Sequence, residues 1–310
     1  MLAGQTVMQI TAPALPGLRL VVRDRPHATR RLTSRGWKAD PFLNEVQAHF
    51  IFGHKSPARL IENSEVYAAW FAKAITQIHP QLRAVRPHPA CRDMHFAPHR
   101  FDSTQKPLAK VCFFLPAVLT TMIHIIRERS GEDRHAARTF LDWLDMEKCL
   151  QLAMMADGGE EQLELIRLMD YQGFPLDELA YNLSAFRSRL HNLFVSPEAG
   201  ELPTCVRVGF TAHMLKILSH PMGVPTGAGG VRYIGANGGV PLETQLRCVS
   251  RMSNWTVLVE HTLQAEFPAC ETIQAWGVFN VVHNGGTKRI ASGVSHDCLT
   301  FKQFLGAANY

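Results

Sequence analysis

The sequence predicts a mainly α-helical fold. Between residues 58 and 267, apolar residues recur at the three- and four-residue spacing that places them on one face of a helix. Strand-like runs are few, and Pro and Gly stand where helices would begin or end. With 46% apolar and 19% charged residues in 310, the chain is long and apolar enough for one large domain or two lobes.

The first 40 residues are predicted to form a basic N-terminal arm that contributes little to a core. They are rich in Arg, Thr and Pro, and RLVVRD is their one strand-like piece. A helical lobe is expected over residues 41–156, with a first helix over residues 58–78. Residues 107–126 are very apolar, and Pro116 is expected to kink or split their helix. A further helix over residues 132–155 is expected to stop at the DGG of residues 157–159.

A second helical lobe is predicted over residues 157–268, followed by a C-terminal segment, 269–310. Its main helix keeps one apolar face from Leu176 to Phe194, and Pro175 suits the first helical position. Another helix is expected over residues 203–219 and a loop in the Gly-rich stretch that follows. Residues 241–267 are expected to form a helix in two pieces around Asn254.

The formal net charge of +5 is unevenly distributed along the chain. Residues 1–130 contain 18 Lys and Arg against 8 Asp and Glu, residues 131–180 contain 4 against 12, and residues 181–310 contain 10 against 7. This pattern suits binding to a polyanion or contact between protomers, and equally a solvated surface with uneven charge. The seven cysteines are scattered singly, which predicts free thiols in a reducing compartment. No membrane span or secretory signal is predicted.

An enzyme-like cluster lies in RPHPACRDMHFAPHR, where Cys91, His95 and His99 would share one face of a helix and hold zinc in a tetrahedral site. The prolines at positions 87, 89 and 98 interrupt such a helix, so a basic, Pro-rich surface loop is the alternative interpretation. The Gly-rich stretch lacks a Gly-Lys-Ser/Thr ending, and no Gly-x-Ser-x-Gly motif is present. No catalytic residue and no cofactor are therefore predicted.

Basic residues in the last third of the chain are better ordered. Arg247 and Arg251 are four residues apart, so on a helix they project from one side and would make a two-pronged contact with phosphate. Three further basic residues are expected to line the same groove: Arg207, Lys216 and Arg232. Aromatic neighbours that would offer surfaces to unstacked bases are Phe210, Tyr233 and Trp255. The alternative is that Trp255 belongs to the core and the arginines are solvated.

Several motifs occur in one order between residues 171 and 268. YQGF at 171–174 precedes an amphipathic helix, TCVRVGFTAHMLK follows, and Tyr233 comes after the Gly-rich stretch. Arg247 then stands eight residues before a Trp-Thr pair, and VLVEHTLQAEFP follows that pair. This series resembles the nucleocapsid proteins of phlebovirus- and tenuivirus-like negative-strand RNA viruses. The chain departs from that family in two ways: 170 residues precede the series, and Pro175 stands where the family usually has Asp.

The resemblance implies two helical lobes with a positively charged groove between them and a flexible basic N-terminal arm. It implies a protein that coats single-stranded RNA without sequence specificity and assembles along it, with the arm docked on a neighbouring protomer. Arg247 falls on an RNA-contacting position of the family, and Arg207 or Lys216 corresponds loosely to the preceding basic residues. A viral polymerase is a further candidate partner, and the expected location is the virion and the host cell cytoplasm. The alternatives are a zinc enzyme built on Cys91, His95 and His99 and a helical protein-interaction module.

Overall fold

The computed structural model of the chain describes residues 25–78, 94, 105–170, 178–195 and 201–267, together with the backbone of two strands at 281–284 and 287–290. Within these residues the protein is mainly α-helical, which confirms the predicted class. The buried side chains of its helices form one hydrophobic cluster, which extends from Ala28 to Phe267.

Eleven α-helices, one π-helix and one 3-10 turn occur in the described residues. Before residue 145 they are α1 (Arg25–Ala39), α2 (Pro41–Gln47), a π-helix (Ala48–Phe52), α3 (Pro57–Glu62), α4 (Glu65–Ile78), α5 (Gln105–Phe113), α6 (Leu115–Glu128) and α7 (Gly131–Trp143). After it they are α8 (Met146–Asp170), α9 (Leu179–Phe194), a 3-10 turn (Thr204–Arg207), α10 (Gly209–Leu218) and α11 (Leu242–Glu266).

Two antiparallel hairpins complete the described elements. Strand β1 (Met222–Pro225) pairs with β2 (Val231–Ile234), and Met222 lies opposite Ile234. Strand β3 (Val281–Asn284) pairs with β4 (Thr287–Ile290), and Val281 lies opposite Ile290. The first hairpin occupies the Gly-rich stretch in which a loop was expected, so that prediction was wrong.

Helix α1 lies within the predicted basic arm and belongs to the core. It packs on α8 and α11, and Ala28, Leu32 and Trp37 are buried. On its outer side Arg31 and Arg35 bind the buried carboxylate of Glu266 at distances of 2.8 and 2.9 Å. The prediction that residues 25–39 contribute little to the core was therefore wrong, because Arg31 and Arg35 pair with α11 while Ala28, Leu32 and Trp37 are buried. Residues 1–24 lie outside the described residues.

Helix α8 continues through the DGG at residues 157–159, where a stop was predicted. The two glycines allow close packing there. A Cβ on Gly158 would lie 2.9 Å from Cη2 of Trp255, and a Cβ on Gly159 would lie 1.8 Å from Oε1 of Gln105. The predicted lobe boundary between residues 156 and 157 falls inside this helix, and buried residues continue on both sides of it.

Two other helix breaks lie at Phe114 and Val208. Helices α5 and α6 meet at Phe114 with a bend of 86°, which confirms the predicted kink or split, and Pro116 occupies the first turn of α6. In the described part of the chain no single helix is long and apolar enough to cross a membrane, and only this bent pair, taken together, reaches that length and composition. The helix expected over residues 203–219 is divided at Val208 into the 3-10 turn and α10.

Helix α11 is continuous through Asn254, so the expected division into two pieces was wrong. Asn254 is exposed on the outer face, while its neighbours Trp255 and Thr256 are buried. An exposed Asn lowers helix stability by only about 0.5 kcal/mol relative to better helix formers. Burial of the adjacent Trp255 outweighs that cost and holds the helix together.

Candidate nucleic-acid interface

Arg247 and Arg251 converge on one carboxylate, that of Glu147. Nη2 of Arg247 donates to Oε2 of Glu147 at 2.9 Å, and its Nε lies 3.3 Å from the same oxygen. Nη1 of Arg251 donates to Oε1 at 2.6 Å. Each carboxylate oxygen thus takes one guanidinium group, which confirms that the two arginines project from one side of α11. We call these three residues the Glu147 cluster.

The local sequence explains this convergence. A four-residue spacing brings both arginines to the same face of α11, and Glu147 lies in the first turn of α8, where the helix dipole favours a negative charge. The guanidinium carbon of Arg251 also lies 4.0 Å from the ring centroid of Phe42, which fixes its orientation. Arg251 is consequently the more enclosed of the two arginines.

The charges of the cluster stabilise one another. Partial burial acts to raise the pKa of the Glu147 carboxyl, but the hydrogen bonds from Arg247 and Arg251 outweigh it and lower that pKa. The hydrogen bond to Glu147 in turn raises the pKa of Arg247. Arg247 has a second acidic partner, Glu243, at 2.8 Å one turn earlier on α11. The side chain of Glu243 is 87% exposed and that of Glu147 only 20%.

Arg232 contacts a different part of the molecule. From strand β2 its Nη2 donates to the carbonyl of Leu141, and it lies 3.3 Å from the carbonyl of Asp142. These carbonyls belong to the last turn of α7, where a positive charge is favoured by the helix dipole. Arg232 therefore attaches the first hairpin to α7.

Arg207 and Lys216 are exposed, on the 3-10 turn and on α10. Among the described residues no carboxylate lies within ion-pair distance of either side chain. Helix α10 packs beside α5, where the His213 ring stacks on the Phe113 ring with centroids 4.7 Å apart. Nε2 of His213 also lies 3.1 Å from the Phe113 carbonyl.

Basic residues that sequence reasoning missed lie on α5. Lys106, Lys110 and Phe113 are separated by four and three residues and so share one face of that helix. This spacing indicates a shared helix face and could have been found in the sequence, but the segment is so apolar that it was interpreted only as a buried helix. The basic strip, as we call it, consists of Lys106, Lys110, Phe113, Arg207, His213 and Lys216. The three elements that carry it contain no Asp or Glu.

Asp157 of α8 holds the beginning of α10. Its carboxylate accepts hydrogen bonds from the backbone N–H of Phe210 at 2.7 Å, from that of Thr211 at 2.9 Å, and from the Thr211 hydroxyl at 2.6 Å. Gly209 has a φ of +68°, and a Cβ there would lie 2.2 Å from Oδ1 of Asp157, so this approach requires glycine. Burial raises the pKa of Asp157 to about 6, although these hydrogen bonds act to lower it.

The aromatic residues proposed for base stacking lie in different environments. Trp255 is 1% exposed, and its ring stacks on Trp37 with centroids 6.1 Å apart and meets the edge of Phe194 at 5.9 Å. It belongs to the core, so its assignment to base stacking was wrong. Phe210 is partly buried against the core, whereas Tyr233 is 65% exposed on the first hairpin.

The candidate zinc ligands Cys91, His95 and His99 lie outside the described residues. Within the residues that the structure describes, no three His, Cys, Asp or Glu side chains are grouped as metal ligands would be. The four cysteines described there are buried free thiols: Cys112, Cys149, Cys205 and Cys248. Burial raises the pKa of each, so they are poor nucleophiles at neutral pH.

No family model, curated protein or solved structure matches the chain. The resemblance to nucleocapsid proteins therefore stays a prediction. Its first motif, YQGF at 171–174, lies outside the described residues. Its later residues, Tyr233, Arg247 and Trp255, lie on the first hairpin and on α11.

Proposed function

We propose that the protein is a nucleocapsid-type protein that binds single-stranded RNA through its phosphates, without sequence specificity, and assembles along it. The observation that carries the proposal is the convergence of Arg247 and Arg251 on a single oxyanion. Two guanidinium groups directed at one pair of oxygens would bind a phosphodiester in the same way.

The basic strip supports the same proposal. It combines the exposed side chains of Lys106, Arg207 and Lys216 with the exposed ring of Phe113, and basic side chains interleaved with aromatic rings are typical of surfaces that bind single strands. Tyr233 adds a second exposed ring on the hairpin that Arg232 attaches to α7. RNA would contact the strip through phosphates and stack unpaired bases on these rings.

Assembly is the other half of the proposal. Because residues 25–39 pack against α8 and α11 of their own chain, we assign the contact with a neighbouring protomer to residues 1–24, which include Arg19 and Arg23. Light scattering of the protein on RNAs of increasing length measures this: the mass of the particle should rise in steps of one protomer. Deleting residues 1–24 should leave single protomers bound, and unchanged steps would contradict the assignment.

RNA binding is tested by fluorescence anisotropy with a labelled oligouridylate of about 15 nucleotides, titrated at several salt concentrations. The Arg247→Ala/Arg251→Ala variant should bind about tenfold more weakly at low salt. The slope of log affinity against log salt should fall in magnitude by about 0.7, since the pair contacts one phosphate and each phosphate neutralised on a single strand contributes about 0.7. Arg207→Ala/Lys216→Ala, if the two side chains contact separate phosphates, should reduce the slope by about 1.4.

Arg187→Ala is the matched control. Arg187 is an exposed arginine that also pairs with a carboxylate, Glu260, 3.2 Å away near the other end of α11. Its replacement should leave affinity and slope unchanged. Absence of RNA binding by the wild-type protein would overturn the function, and wild-type affinity in both double variants would overturn the site.

A further inference from the structure

We propose that Glu147 occupies the phosphate site of Arg247 and Arg251 and must leave it when RNA binds, so that Glu147 sets the affinity of that site. This inference rests on the proposed function and adds to it an internal competitor. The competitor and the incoming ligand have the same chemistry, because both present two oxygens that share negative charge.

The geometry of the Glu147 cluster matches that of a bound phosphodiester. Oε2 accepts from Arg247 at 2.9 Å and Oε1 from Arg251 at 2.6 Å, one oxygen for each guanidinium group. The two non-bridging oxygens of a phosphodiester can be divided between two arginines in the same manner. A phosphate cannot take both contacts while the carboxylate holds them.

The cluster is open enough for exchange. The side chain of Arg247 is 44% exposed, whereas those of Arg251 and Glu147 are 26% and 20% exposed. An incoming phosphate would therefore meet Arg247 first and reach Arg251, held on Phe42, only after the carboxylate has turned away. Arg251 keeps its position through the exchange because the Phe42 ring supports its guanidinium group.

Competition lowers the apparent affinity in proportion to the fraction of molecules in which the site is open. A partly exposed ion pair stabilises the state in which Glu147 occupies the site by only about 1 kcal/mol. Removing the carboxylate should therefore tighten RNA binding by about fivefold. The gain should shrink as salt rises, because salt screens the carboxylate and the phosphate alike.

Glu243 provides a matched control for charge. It contacts Arg247 at 2.8 Å on the same helix, but it reaches only one of the two arginines. Glu147→Gln and Glu243→Gln remove the same charge beside Arg247, so a general electrostatic effect would raise affinity equally in both. Glu147→Asp keeps the charge and withdraws the carboxylate by one methylene, which separates displacement from charge.

The experiment compares the wild type with Glu147→Gln, Glu147→Asp and Glu243→Gln, using the labelled oligouridylate at low salt, with thermal melting as a check of folding. Displacement predicts about fivefold tighter binding for Glu147→Gln, a smaller gain in the same direction for Glu147→Asp, and little change for Glu243→Gln. Adding Arg247→Ala/Arg251→Ala to Glu147→Gln should abolish the gain.

The outcomes separate the inference from the function. Equal, salt-dependent binding by the wild type, Glu147→Gln and Glu147→Asp overturns the inference and leaves the function standing. An equal gain in Glu147→Gln and Glu243→Gln also overturns it, because charge alone would then explain both. If neither the wild type nor Glu147→Gln binds RNA, the function and the inference fall together.

Discussion

Two carboxylates ten residues apart on α8 have opposite environments. Glu147, in the first turn, is partly exposed and bound by two arginines, and its pKa is lowered. Asp157, in the middle of the helix, is buried, has no cation as hydrogen-bond partner in the described structure, and has a pKa raised to about 6. The Glu147 carboxylate is paired with two positive charges, whereas the Asp157 carboxylate accepts hydrogen bonds from backbone N–H groups in the first turn of α10.

The difference separates the binding role that we propose for Glu147 from the structural role of Asp157. Asp157 joins α8 to α10 within the core, at the point where Gly158 and Gly159 admit Trp255 and Gln105. Glu147 joins two helices at the surface through side chains that an anion in solution can also reach. Substitutions around Asp157 should therefore change stability, whereas substitutions at Glu147 should change RNA binding.

The largest effect is expected from Trp255→Ala, beside Gly158. Removing this buried ring should lower the free energy of unfolding by about 3–5 kcal/mol, because the cavity is bounded by Trp37, Phe194 and the glycine face of α8. Urea unfolding followed by circular dichroism measures it. Tyr233→Ala, at an exposed ring, is the control and should change stability by less than about 0.5 kcal/mol. A comparable loss in both variants would contradict the assignment of Trp255 to the core.

Asp157→Asn should remove a pH dependence from stability. Because the folded pKa, about 6, is above the ordinary value of 3.8, Asp157 binds its proton more tightly in the folded state. Its stabilising contribution is therefore complete below pH 3.8 and is lost as pH rises through about 6. Wild-type stability relative to Asp157→Asn should fall by about 2 kcal/mol between pH 4 and pH 7. Urea unfolding at a series of pH values gives both profiles, and parallel profiles would contradict the prediction.

Thr211→Val should have a smaller effect on the same contact. The valine side chain has nearly the same shape but cannot donate the 2.6 Å hydrogen bond to Asp157. Loss of a hydrogen bond to a charged group should lower the free energy of unfolding by about 2 kcal/mol at pH 7. The loss should be smaller at pH 4, where the carboxyl is protonated. Thr262→Val, at an exposed hydroxyl that bonds only its own helix, is the control for the substitution.

The helices were largely predictable from sequence because apolar spacing reports which face is buried. The buried residues Leu183, Phe186 and Leu190 of α9 and the break at Pro116 follow directly from it. The continuity of α8 was not predictable, because Gly158 and Gly159 resemble a helix stop until Trp255 and Gln105 are known to pack on them. The arm prediction failed at α1 for the same reason: Arg31 and Arg35 look solvated until Glu266 is placed beside them.

The candidate site was predictable only in part. The four-residue spacing of Arg247 and Arg251 correctly indicated that both project from one side of α11. Their partner was not predictable, since Glu147 lies 100 residues before Arg247 and nothing in an isolated acidic residue indicates such a contact. The basic strip could have been found from the spacing of Lys106, Lys110 and Phe113. The apolar residues between them instead led to the interpretation that the whole segment is buried.

The smallest effect on stability should come from Glu147→Gln, although this substitution is expected to tighten RNA binding about fivefold. A partly exposed ion pair contributes about 0–1 kcal/mol, so the free energy of unfolding should fall by no more than about 1 kcal/mol. Because the folded pKa of Glu147 is lowered, this contribution is present above its ordinary value of 4.5 and is lost as pH falls through the lowered pKa. The contribution of Glu147 should also disappear at high salt. The pH-dependent contribution of Asp157 should persist at high salt, because the Asp157 carboxylate is buried. Urea unfolding at low and high salt tests this, and a salt-independent loss above about 2 kcal/mol would show that Glu147 has a structural role like that of Asp157.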